Sequence, residues 1–82
     1  MSSIIDISEA KNIINTELTN LDQIVNAMRS LDNSEFNKRL IEVLLNGFKR
    51  LKDYYGDIEN WCYDINVMAQ IFRNKVVKHI RV

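Results

Sequence analysis

The chain has 82 residues, with eleven Lys and Arg against eleven Asp and Glu, no Pro, two Gly, one Cys and one His. That length makes one domain, the zero formal charge excludes a general polyanion binder, and 46% apolar content excludes a disordered chain. Cys62 stands alone, so no intramolecular disulfide can form; it fits a reducing compartment or a small buried hydrophobe.

The first element is a helix predicted from about Ile7 to Leu31. Asp6 is a good N-cap, with Glu9 three residues on as in a capping box. Ile7, Ala10, Ile14, Leu18, Leu21, Val25 and Met28 recur at three- and four-residue steps, while Lys11, Asn15, Asp22 and Arg29 fall on the other face. Glu17 intrudes into the apolar arc. Either its carboxylate pairs with a cation from another helix and specifies register, or it lies at the edge of the arc and reaches water. The second is the expectation.

Asp32-Asn33-Ser34 supplies three side chains that compete for backbone hydrogen bonds, which predicts a turn and a cap from Asp32 or Ser34. The second helix is predicted from about Glu35 to Tyr55. Phe36, Leu40, Leu44, Phe48, Leu51 and Tyr55 form its central stripe, flanked by Val43 and Tyr54 on one side and by Ile41 and Leu45 on the other. So wide an arc suits a helix that touches two neighbours. Gly47 lies mid-helix at a cost of about 1 kcal/mol relative to Ala. Close packing of a large neighbour such as Trp61 would account for it, with a kink as the alternative.

Gly56-Asp57 is the second interruption: Gly56 can end a helix in the left-handed conformation and Asp57 can cap the next. The third helix is predicted from about Ile58 to Ile80, with Ile58, Trp61, Cys62, Ile65, Met68, Ala69, Phe72, Val76 and Ile80 on its main face and Trp61 in the core. Short connections give an all-α fold, an elongated three-helix up-down-up bundle. Helices of such length, roughly 30–37 Å, give much surface for little core. That favours a partner or self-association.

No metal-ligand cluster, nucleophile–base pair or phosphate loop is found, so the expectation is a non-enzymatic protein without a cofactor. His79, without Cys or carboxylate company, reads as a solvated side chain rather than a metal ligand. Two features exceed what a bundle needs. Tyr63, Val67 and Ile71 form a second apolar stripe on the third helix, spaced four apart, which is either deep core or a protein-contact face. After Asp64 the chain carries no acid, while Arg73, Lys75, Lys78 and Arg81 are all basic. Complementing the helix dipole explains such a run. It can also receive an acidic segment, membrane headgroups or nucleic acid. Nucleic acid is disfavoured because Asp57, Glu59 and Asp64 stand where a recognition helix would meet phosphates.

No apolar run exceeds three residues, so no transmembrane helix is expected. The N-terminus lacks the basic start and long apolar stretch of a signal peptide, and Ser2 stands where myristoylation requires Gly. The expected location is the cytoplasm. The start MSSIIDISEAKNIINTELTNLDQIV, the length and the end KVVKHIRV resemble the rapid-lysis-inhibition accessory proteins of T-even bacteriophages, the third of the r-type lysis regulators. The resemblance covers the whole chain and carries no motif that assigns individual residues. It implies a cytoplasmic antiholin, which helps hold a holin in its non-lethal state by binding the holin's cytoplasmic segment near the inner membrane. The classes that compete with it are a small helical nucleic-acid-binding or transcription regulator and a structural or assembly protein.

Overall fold

The fold is seen in a computed structural model that describes residues 5–82. The readings made on the first residues, the signal peptide and Ser2 among them, lie outside this range. Three helices form: α1 (Ile7–Ala27), α2 (Asn33–Tyr55) and α3 (Tyr63–Val77), preceded by a single 3-10 turn at Ile58–Asn60. Every pair of helices packs together, and the described residues measure 52 × 20 × 17 Å. The radius of gyration is 14.0 Å, against roughly 12 Å for a compact domain of this length. The bundle is therefore elongated.

The direction of each helix follows from the contacts at its ends. Tyr55 at the end of α2 donates its hydroxyl to the carbonyl of Asp6 at the start of α1. At the other end of the molecule, Asn37 near the start of α2 exchanges hydrogen bonds with the backbone of Arg81 at 2.7 and 2.8 Å. So α2 runs antiparallel to its neighbours, and α1 and α3 run parallel.

The core is one cluster. Ala10, Ile14 and Leu21 of α1, Phe36, Leu40 and Leu51 of α2, and Ile65, Phe72 and Val76 of α3 are buried in it together with Trp61. Phe48 bridges two aromatic partners. Its ring lies 6.1 Å from Trp61 edge-on and 6.3 Å from Phe72 tilted. These are separations at which aromatic quadrupoles attract.

The helix limits differ from the predicted ones for physical reasons. Helix α1 ends at Ala27 rather than Leu31, since residues 28–30 form a turn. The carbonyls freed there are not left to water: Arg81 donates to Leu31 O at 3.0 Å and to Arg29 O at 3.5 Å. Helix α2 begins at Asn33 because Asp32, not Ser34, is its cap, its carboxylate accepting from Glu35 N at 2.8 Å. At the start of α1, Asp6 accepts from Ser8 N at 3.1 Å, and Glu9 returns no side-chain bond among the described residues.

The largest departure is at the third helix, which starts at Tyr63 and not at Ile58. Trp61 and Cys62 are extended, at φ/ψ of −71°/138° and −70°/165°. This kink turns the indole under the end of α2, where Trp61 Nε1 donates to Gly56 O at 2.8 Å. Asn66 Nδ2 then donates to Trp61 O at 3.2 Å. A continuous helix would instead commit Trp61 O to the backbone N–H of Ile65 in its own ladder. Ile58, predicted in the main face, is consequently exposed. Gly56 has φ 90° and ψ −167°, a region outside the left-handed helical well and open in practice to glycine alone. Asp57 gives the next turn no side-chain cap and pairs instead with Lys52 at 3.4 Å.

Candidate functional site

The second apolar stripe of α3 lies outside the core. Tyr63 is 80% exposed, Val67 37% and Ile71 50%, while Ile65, Ala69, Phe72 and Val76 on the opposite side close the core without them. Tyr63 stands clear at the head of the helix. Ile71 belongs to a groove.

That groove runs between the parallel helices α1 and α3. Two depressions of about 230 Å³ each lie between them and share Leu18 and Lys75; a third, of about 260 Å³, adjoins them and is lined by Ile71, Asn74, Lys75 and Lys78 alone. Their apolar lining comes from Ile14, Leu18 and Leu21 of α1 and from Met68 and Ile71 of α3. Lys11 stands on the α1 wall; Lys75 and, at the C-cap of the helix, Lys78 stand on the α3 wall. None of these three lysines makes an ion pair among the described residues.

The basic run at the end of the chain thus divides. Lys75 and Lys78 face the groove. Arg73 is exposed and spends one guanidinium nitrogen on Asn74 Oδ1 at 3.4 Å. Arg81, grouped with them from sequence, is a structural residue. Its guanidinium lies 3.7 Å from the centre of the Phe36 ring and donates to the α1–α2 turn as described above. His79 is exposed and lines the far end of the groove.

The pocket between α1 and α2 has a different character. It is lined by Glu9, Ile13, Arg50, Asp53 and Tyr54. Here Arg50 Nη1 donates to Glu17 Oε1 at 3.0 Å, and Asn20 Nδ2 reaches Glu17 Oε2 at 3.5 Å. Glu17 is only 4% exposed, so the expectation that it reaches water is corrected: it is a buried carboxylate paired across helices. Arg50 was not singled out from sequence, since nothing in the period of α2 marks which of its cations faces Glu17.

Gly47 is likewise explained by a neighbour, though not by Trp61. A Cβ there would lie 2.5 Å from Phe72 Cε2, 2.7 Å from Phe72 Cζ and 3.2 Å from Glu17 Cγ. The glycine lets the Phe72 ring and the stem of Glu17 meet the α2 backbone. Among the described residues no group of three or more His, Cys, Asp or Glu is placed to hold a metal ion, and no helix is long and apolar enough to cross a membrane. Compared with protein-family models, with curated proteins and with solved structures, the chain finds no significant match in any of the three.

Proposed function

We propose that the protein is a non-enzymatic regulator that binds another protein through the exposed apolar stripe of α3. The supporting observation is the exposed stripe of Tyr63, Val67 and Ile71, on a bundle whose core is complete without it. A helix with a second apolar face that its own fold does not cover is suited to a partner. The specific form of this reading is the one the sequence resemblance implies: a cytoplasmic antiholin that binds the cytoplasmic segment of a holin near the inner leaflet. Its mechanism is mass action. A ligand for the unassembled holin lowers the population of the lethal assembly in proportion to its preference for the unassembled state.

Calorimetric titration of the chain with a purified holin cytoplasmic segment tests this. Binding on the order of 10 μM or tighter is expected. The double variant Val67→Glu/Ile71→Glu should abolish it while circular dichroism stays helical, because neither side chain is core. No heat at these concentrations, or binding that the double variant leaves intact, overturns the proposal.

A further inference from the structure

The groove between α1 and α3 has a charge pattern that specifies what it receives. Its walls carry Lys11, Lys75 and Lys78 against the single acid Asp22, three positive charges minus one negative, a net of +2 with His79 neutral. The helix dipole accounts for cations at the end of α3. It has no bearing on Lys11, which lies in the second turn of α1 and stands across the groove from Lys75. From Lys11 to Asp22 the groove extends along twelve residues of α1, roughly 16 Å or three helical turns. Apolar floor, this length and cations on both walls are the complement of one object. Resting on the protein-binding role proposed above, we propose that the groove receives an amphipathic helix of about three turns whose apolar seam is flanked by acidic residues. The seam lies on Ile14, Leu18, Met68 and Ile71, as in other helix-in-groove complexes. The acidic flanks meet Lys11 on one side and Lys75 and Lys78 on the other. The lysines set orientation and partner choice more than raw affinity, as charges at the rim of an interface do.

The test uses the full chain and three fluorescent peptides of about four turns each. One has a Leu seam with Glu flanks, one the same seam with Lys flanks, and one the Glu-flanked composition with the seam shuffled. Anisotropy titration should show the first binding at least about tenfold tighter than either other, with affinity falling as salt shortens the Debye length from about 10 Å at 0.1 M. Lys75→Glu/Lys78→Glu should weaken the Glu-flanked peptide by about tenfold and improve the Lys-flanked one. Lys38→Glu/Lys49→Glu, on exposed positions of α2, should leave binding within about twofold. Equal binding of the shuffled peptide, or no response to the Lys75/Lys78 exchange, overturns the proposal. Flotation with anionic phospholipid vesicles supplies a further arm: retention that depends on Lys75 and Lys78, with no binding of the Glu-flanked peptide, assigns the groove to a lipid surface and overturns it too. A holin segment whose binding is lost with Val67→Glu/Ile71→Glu yet unchanged by the lysine exchange removes only the acidic helix. A segment unaffected by both removes the protein-binding role as well.

Discussion

At Gly47 helix propensity and packing pull in opposite directions, and the distances say which prevails. Replacing a mid-helix glycine by alanine gains about 1 kcal/mol of propensity. Here the added methyl would meet the fully buried Phe72 ring at 2.5 Å, and overpacking of that kind costs about 1–3 kcal/mol. Gly47→Ala should therefore lower stability in urea denaturation. Combined with Phe72→Leu, it should cost less than the sum of the single changes, since the shorter side chain vacates the site. Glu17 obeys a related rule. Its carboxylate is buried and depends on Arg50. Arg50→Ala should destabilise by about 1–3 kcal/mol, discounted from the range for buried pairs because the guanidinium is half-exposed. Glu17→Leu, which removes the charge and keeps the volume, should cost less; equal losses in the two variants would mean that the pair is not what Glu17 needs. At Asp6 the Ser8 hydroxyl donates to the carboxylate and holds its pKa below the ordinary 3.8. The lowered value puts the cap's contribution fully in place above 3.8 and removes it as pH falls through the folded value. The gap in melting temperature between wild type and Asp6→Ala should accordingly close in acid.

The three helices themselves were legible, because their apolar residues repeat with the helical period over about four turns or more. The wide arc read on α2 is only partly used: Val43 is buried, but Ile41, Leu45 and Tyr54 on its flanks are exposed, and each helix packs on both of the others. What was hidden depends on contacts distant in sequence. Period alone continues a helix through Ile58–Cys62. Only the position of Gly56 O in space explains why the chain extends at Trp61 and Cys62 to bring the indole N–H to it. Arg81 looks from sequence like one more cation at a basic end, and its real partners lie 44 and 50 residues away. On α3 the stripe of Tyr63, Val67 and Ile71 was visible, but not the groove, because Lys11 and Lys75 line one depression only once α1 and α3 lie side by side. The tail contact is the element most open to test. Arg81→Ala removes the bonds to Leu31 and Arg29 and the stacking on Phe36, at about 1–2 kcal/mol. For a domain of this size that lowers the melting temperature by roughly 4–16 °C. Asn37→Ala breaks the same clasp from the other side, so the two losses should be less than additive.

As a whole the molecule is a rod of 52 × 20 × 17 Å with spare apolar surface on two helices: Ile41, Leu45 and Tyr54 on α2, and the stripe of Tyr63, Val67 and Ile71 on α3. Should the α3 stripe pair with itself, light scattering would show a dimer that Val67→Glu/Ile71→Glu converts to monomer without loss of helicity. Standard stable interfaces cover about 800 Å² on each partner. Three side chains along part of one helix offer much less, so a monomer at micromolar concentration is the expected result. Trp61 gives the rod a built-in optical reporter. It is the chain's only tryptophan, 6% exposed, and seated where α2 hands over to α3. Its emission should be blue-shifted while those two helices stay docked and should redden when they part, even if α1 and α2 remain together. Because the indole is absent from the groove lining, a ligand seated between α1 and α3 should leave the spectrum unchanged unless binding pulls the third helix away from the second. One fluorophore would thus separate occupancy of the groove from opening of the bundle.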